Sequence, residues 1–535
     1  MGDNFIITIR CQGHTGCKTQ HNYRKTQNLF FTRAYGPSVI SGIILPSQQQ
    51  QSNGSNDDHT DYMVQFRFLD PGIYTVEVVI TFSNTVSFDR YPLRENEDEE
   101  PNYEGYMLPE FPLQVQVVGS GDGSQVSSPT PTTIDRLCSF SELTEQSSSS
   151  DALSKARWKV KSKSNMQVDE KYATSSTIDL PISSDGYKRN IHSTGIQMTY
   201  EYTNCTLISK SAFSKRQGNN NPFYQCATNN RRSGGGSSSV SDNGGGHRQL
   251  QESNTKKTKT KQQLIVIFIG DSVMRIQKNM FDGYLKNIDS DIITIKTIMI
   301  ELYTGYRRCE KLVGPNVQKS LQDIKKEYNI GDGPANKDSS TKVAILFNTG
   351  LHDIHRLCGQ EFTKDRLEYL PTNDDAKRVD LIKGTFKCID EYKSILQDFT
   401  KIIEEFPAKL RVFQSTTAGW PKYGNYNIEW PTHRGQNLPL SPDIVSYYNE
   451  FSYNVLLEKQ RGLSQHINND DNHQDGIHIM DGYWITYSRP DNREIGDIGH
   501  KLSHPGLEVQ SAMVRIWIML LLEKVCSLSP ADPPT

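Results

Sequence analysis

Two hydrophobic patterns divide the chain. Over residues 1–118 the segments NFIITIRC, NLFFTRAY, SVISGIIL, DYMVQFRFLD, GIYTVEVVITFS and FPLQVQVV are short, rich in β-branched and aromatic residues, and separated by turn formers. Apolar positions at period two bury one side of a strand, so this stretch predicts an all-β sandwich of roughly seven strands. From residue 263 the pattern changes. Apolar runs at 264–269, 292–300, 343–347, 410–414 and 476–488 alternate with helix-period stretches at 273–287, 316–328, 379–405, 442–461 and 505–524. An apolar run with no polar relief reads as a strand covered on both faces. Strands alternating with helices predict a three-layer α/β domain around a parallel sheet over residues 263–535.

Between these regions the pattern fades. Residues 119–175, beginning GSGDGSQVSSPTPTT, read as a flexible linker, and residues 176–262 as a poorly patterned, partly disordered segment. Polar low-complexity tracts at 48–58, 147–150 and 218–261 account for a hydrophobic fraction of only 35%. Such tracts bury too little surface to offset the entropy of ordering.

With 59 basic and 62 acidic residues the net charge is −3, which gives no electrostatic reason for a nucleic-acid or membrane partner. The basic run KKTKTK, residues 256–261, reads as a solvated linker end. The longest apolar run near the carboxyl end, Ile516 to Leu522, is too short to span a membrane. The nine cysteines show no CxxC pair and no Cys/His ligand spacing, so no metal and no cofactor is expected. An odd count forbids complete intramolecular pairing, and Cys205 with Cys226 is a candidate local disulfide. The tripeptides Asn53-Gly-Ser and Asn204-Cys-Thr fit a secretory route, whereas the opening MGDNFIITIR shows no signal peptide. The chain is therefore expected to be cytosolic, or its true start lies upstream.

The candidate chemistry begins at LIVIFIGDSVMRIQKNMF, residues 264–281. A buried strand ends in Gly270, Asp271 and Ser272 are residue types that cap helices, and Met274, Ile276 and Met280 suit an amphipathic helix. Ser272 therefore falls at a strand-to-helix turn at the carboxyl edge of the sheet, where open α/β folds bind ligands. A nucleophilic serine needs a base, a group that orients the base, and donors for an oxyanion. KVAILFN ends in NTGLHD, placing Asn348 at the lip of the sheet as a donor. GDIGHKLSHPG offers Asp497 to orient His500 as base, just before the last helix. ELYTGYRRC adds Gly305 and Arg307 as donors.

FIGDSVMR, FNTGLHD and GDIGHKLSHPG, in that order, resemble the blocks of the SGNH or GDSL hydrolase superfamily. Within it they look most like the PC-esterase branch, which holds plant trichome-birefringence-like glycan O-acetyltransferases. An amino-terminal sandwich, immunoglobulin-like or filamin-like around DPGIYTVEVVI, placed before such a domain is similar to the neurexophilin-and-PC-esterase family. The resemblance implies an SGNH-type α/β domain with Ser272 as nucleophile, His500 as general base and Asp497 as its orienting partner. The oxyanion hole would comprise the Ser272 amide and Asn348, with Gly305, Arg307 or Arg308 in the second-block role. It implies a serine-dependent esterase or O-acyltransferase acting on O-acetyl groups of a glycan, in the secretory pathway or outside the cell. A protein partner through the sandwich is also within its scope.

Alternatives stay open. Asp475 with His478 forms a second D-x-x-H, and His504 also precedes the Pro-Gly pair. Arg275 is either a substrate contact or the partner of a carboxylate. His352 lines the pocket or sits on an exposed loop, and Trp420 and Trp430 form a sugar platform or cover the sheet edge. The rival classes are a non-catalytic glycan-binding or adhesion protein retaining the fold, and a cytosolic lipid or thioester hydrolase.

Overall fold

The computed structural model describes residues 4–10, 26–45, 61–86, 102–118, 136–144, 155–160, 198–213, 221–228, 262–286, 288, 293–302, 313–331, 341–349, 389–418, 445–446, 448–457, 476–489 and 505–526. The amino-terminal part is antiparallel β-structure. Its strands are β1 (Asn4–Arg10), β2 (Thr26–Tyr35), β3 (Ser38–Ser41), β4 (Ile43–Leu45), β5 (Asp61–Arg67), β6 (Gly72–Val86), β7 (Asn102–Met107) and β8 (Leu113–Val117). After α1 (Phe140–Thr144) come β9 (Ala156–Val160) and β10 (Met198–Tyr202). A three-stranded sheet runs β1-β5-β4, and a seven-stranded sheet runs β10-β9-β3-β2-β6-β7 with β8 also on β6.

Alternation along β2 explains how the sheets are used. Ala34 joins Val64 and Phe66 of the three-stranded sheet in one apolar core, and Phe30 joins Tyr62 in another. The intervening Phe31 packs with Ala418, Val445, Tyr483 and Tyr487 of the later α/β unit. The strand is thus covered on both faces, which is why NLFFTRAY carries few polar residues. SVISGIIL, expected as one strand, is two. The chain leaves the larger sheet for the smaller at Gly42, where a Cβ would lie 2.7 Å from both Thr32 Oγ1 and Val64 Cγ1.

Two expectations are corrected here. Within residues 119–175, read as linker, Ala156–Val160 is a strand between β3 and β10. Its anchor is Trp158, 1% exposed, whose indole N–H donates to the Ile485 carbonyl at 2.9 Å across the boundary between the units. A single large side chain docking on a distant element leaves no period-two signal in sequence. Nor do Cys205 and Cys226 bond to each other: among the described residues Cys138 pairs with Cys205 and Cys226 with Cys526.

The α/β unit contains α2 (Pro222–Thr228), β11 (Gln262–Gly270), α3 (Ser272–Leu285), β12 (Ile293–Glu301), α4 (Val313–Glu327), β13 (Thr341–Phe347) and α5 (Ile389–Glu405). β14 (Leu410–Gln414), β15 (Ile477–Met480), α6 (Gly482–Tyr487) and α7 (Leu507–Cys526) complete it. The strands pair in parallel in the order β12-β11-β13-β14-β15. Leu264, Val266 and Phe268 share one core with α3 and α7, while Ile265, Ile267 and Ile269 share another with α4 and α5. Helices therefore cover both faces, as the unrelieved run LIVIFI requires.

The predicted strand 476–488 is a strand only to Met480; Gly482–Tyr487 is helix. YWITY has β propensity, but the Asp481 carboxylate accepts from Tyr483 N at 3.0 Å and Trp484 N at 3.2 Å and caps the helix. The residues of α7 from Ile516 to Leu522 are 5% exposed or less. A helix apolar on all sides belongs inside a core, here between the parallel sheet and β10 with α1 and α2. No helix among the described residues is long and apolar enough to cross a membrane.

Candidate functional site

In chain order the parallel sheet is 2-1-3-4-5, a doubly wound arrangement whose crevice opens at the carboxyl ends of its first and third strands. Those strands are β11 and β13. Ser272 is the first residue of α3, 8% exposed, and Asn348 immediately follows β13, 5% exposed. Backbone bonds join the strand exits: Leu302 N donates to Gly270 O and Asn348 N to Ile269 O, both at 2.9 Å.

Local chemistry explains why the turn reads Gly-Asp-Ser. A Cβ at Gly270 would stand 2.8 Å from the Met274 Cβ and 3.3 Å from the Asn348 carbonyl oxygen, so glycine is needed for close approach. Asp271 is the N-cap, accepting from Val273 N at 2.9 Å. That leaves Ser272 at the helix start, where the helix dipole favours developing negative charge. The Asn348 side chain donates to Gln414 O at 2.6 Å; an amide NH2 has two N–H groups, and this bond uses one.

Ser272 and Asn348 stand at the exits of the paired strands β11 and β13. It places Arg275 on the exposed side of α3, paired with Glu301 at 3.2 Å, which is the carboxylate alternative. His478 lies within β15 opposite Val412, its ring edge-on to Phe140 at 4.5 Å. β15 is three inter-strand spacings from β11, on the order of 14 Å, so His478 is not brought to Ser272. Asp497, His500, Gly305, Arg307, Arg308, His352, Trp420, Trp430, Asp475 and His504 lie outside the described residues. α7, which follows Asp497 and His500 in the chain, packs on α3, with Gln277 Nε2 3.7 Å from Met513 Sδ.

A second cluster on the same edge was absent from the sequence expectations. Ser415, immediately after β14, donates to Asp481 Oδ1 at 3.2 Å and accepts from Gly482 N at 2.8 Å and Tyr483 N at 3.0 Å. Beside it a small cleft of about 50 Å³ is lined by Lys155, Tyr200, Tyr202, Tyr453, Asp481 and Trp484 among others. Burial raises the Asp481 carboxyl above the ordinary aspartate range, against the backbone and Ser415 hydrogen bonds that favour the anion. Burial likewise pushes the Tyr200 and Tyr202 phenols up. The available signal was positional and concerned Ser415 alone, which follows the predicted strand 410–414 at its carboxyl end, where ligands gather; Asp481 lies inside the predicted strand 476–488. Among the described residues no group of three or more His, Cys, Asp or Glu is placed to hold a metal ion.

Compared with known proteins, the chain matches no family model and no curated protein.

Proposed function

We propose that the chain is a serine-dependent esterase or O-acyltransferase of the SGNH type, acting on O-acetyl groups of a glycan. The observation that carries this reading is Ser272 as the first residue of α3, at the crevice between β11 and β13, beside Asn348. A hydroxyl at a helix N-terminus, with amide donors on the next strand exit, meets the needs of a nucleophile facing an oxyanion. The resemblance supplies His500 as base and Asp497 as its orienting partner. Ser272 Oγ attacks the acetyl carbonyl, His500 takes the hydroxyl proton, and the oxyanion is held by the Ser272 amide and the second Asn348 N–H. Collapse expels the sugar oxygen, which takes the proton from His500. Water or another sugar hydroxyl then resolves the acyl-enzyme, the first as esterase and the second as transferase.

The test is a fluorophosphonate serine probe on the purified chain, alongside Ser272→Ala and His500→Ala. Labelling of the parent, lost in both variants, supports the esterase reading; a folded parent that stays unlabelled sinks it. The low exposure of Ser272 favours a second reading, a glycan-binding protein that retains the fold without turnover. That protein would bind acetylated glycan and release no acetate.

A further inference from the structure

The tripeptide Asn204-Cys-Thr plays no part in the site described above. Asn204 follows β10 in a bend and is exposed, and Thr206 is exposed as well. Between them Cys205 is 2% exposed and bonded to Cys138. The Thr206 backbone is pinned on both sides: its N–H donates to the Arg136 carbonyl and its carbonyl accepts from Cys138 N, each at 3.1 Å. The disulfide and this bridge fix the inner half of the tripeptide while leaving Asn204 at the surface.

The cysteines bear on the compartment. Cys138, Cys205, Cys226 and Cys526 are each 2% exposed or less and are joined in two cystines, one of them across 300 positions of sequence. Buried structural cystines form in oxidising compartments and are rare where the cytosol keeps thiols reduced. The secretory lumen is such a compartment, and it is where Asn-x-Ser/Thr tripeptides are glycosylated.

We propose that Asn204 carries an N-linked oligosaccharide. In the transfer, the Asn204 side-chain nitrogen attacks C1 of an oligosaccharide held on a polyprenyl diphosphate, the donor supplied by the secretory pathway. The N–C1 bond forms, the C1–O bond to phosphate breaks, the polyprenyl diphosphate departs, and the nitrogen gives up one proton.

The test uses full-length chain recovered from the cells that make it, digested without reduction and treated with peptide-N-glycosidase in heavy-oxygen water. The expected product is a Cys138–Cys205-linked peptide pair that carries hexose and N-acetylhexosamine mass before treatment and labelled Asp at position 204 afterwards. In the same cells Thr206→Ser should keep the modification and Thr206→Val should lower occupancy about tenfold or more, as the sequon requires. Asn204 unmodified in most of the recovered chain overturns the proposal, whatever the state of the cysteines, and so does modification confined to Asn53.

Discussion

The Asn348 side chain donates a 2.6 Å hydrogen bond to the Gln414 carbonyl, so the residue proposed to hold the oxyanion also ties the exit of β13 to that of β14. Anchoring one N–H fixes the plane of the amide and therefore the direction of the other. Asn348→Ala removes both roles. It should destabilise the protein by about 1–3 kcal/mol, the cost of leaving a buried carbonyl unpaired. It should also slow turnover of an acetyl ester by about 10²–10³-fold, as loss of one oxyanion donor does. Urea unfolding and acetate release check the two halves separately. A variant destabilised yet fully active would leave Asn348 with the structural role alone.

Gly270→Ala places a methyl group where the Met274 Cβ lies 2.8 Å away, and both atoms belong to the strand-to-helix turn. The backbone must move, at about 1–3 kcal/mol for overpacking of this kind. The displacement falls on Asp271 and Ser272. The expected outcome is a folded protein with a lowered Tm that no longer reacts with the serine probe.

Arg33 and Glu77 form an ion pair at 2.6 Å with both side chains 1% exposed, on the face of β2 and β6 that meets the α/β unit through Phe31 and Val79. Glu77→Ala leaves a buried guanidinium without its carboxylate and should cost about 3–5 kcal/mol. Replacing both, Arg33→Met with Glu77→Leu, should recover much of that loss, because no charge then remains to be desolvated. Chemical denaturation of the single and double variants measures the difference. Equal destabilisation of the two would show that shape, and not charge, sets the cost.

Glu142 gives the acid limb. Hydrogen bonds from the Arg136 guanidinium, with smaller contributions from the Ser139 N–H and hydroxyl, hold its carboxyl at about 2 against an ordinary 4.5. A depressed carboxylate contributes stability that is complete above the unfolded value and lost as pH falls through the folded one. The window is therefore from about 4.5 down to about 2. Glu142→Gln should flatten the pH dependence of Tm there and leave it unchanged near pH 7 in slope. The effect is small, since the Arg136 side chain is half exposed and solvent screens the pair.

The parallel sheet was legible because its strands are buried on both faces and so read as unrelieved apolar runs: β11, β12, β13 and β14 fall within two residues of expectation at each end. The positions of Ser272 and Asn348 at strand exits were legible for the same reason, each standing just past the end of such a run. The helix at Gly482–Tyr487 was not, because the β propensity of YWITY masks the Asp481 cap, and the further support comes from Ser415 at the end of another strand. β9 and β10 escaped as well. Their places in the sheet depend on Trp158 reaching Ile485 and on cystines that pair Cys138 with Cys205 and Cys226 with Cys526, contacts between residues far apart in the chain. The alternation in residues 1–118 showed that strands exist there, but not that Gly42 hands the chain from one sheet to the other.

The helix α7 follows every other described element, yet Met513, Trp517 and Leu521 lie in the same core as Val39, Trp158 and Phe268. Chains emerge from the ribosome amino end first, at about 5–20 residues per second. Throughout synthesis, then, the part of this sheet face that α7 covers beside α3 waits for a helix made after the sheet itself. The nascent protein exposes an apolar surface until α7 is free, so its yield in a cell depends on what shelters that surface in the meantime.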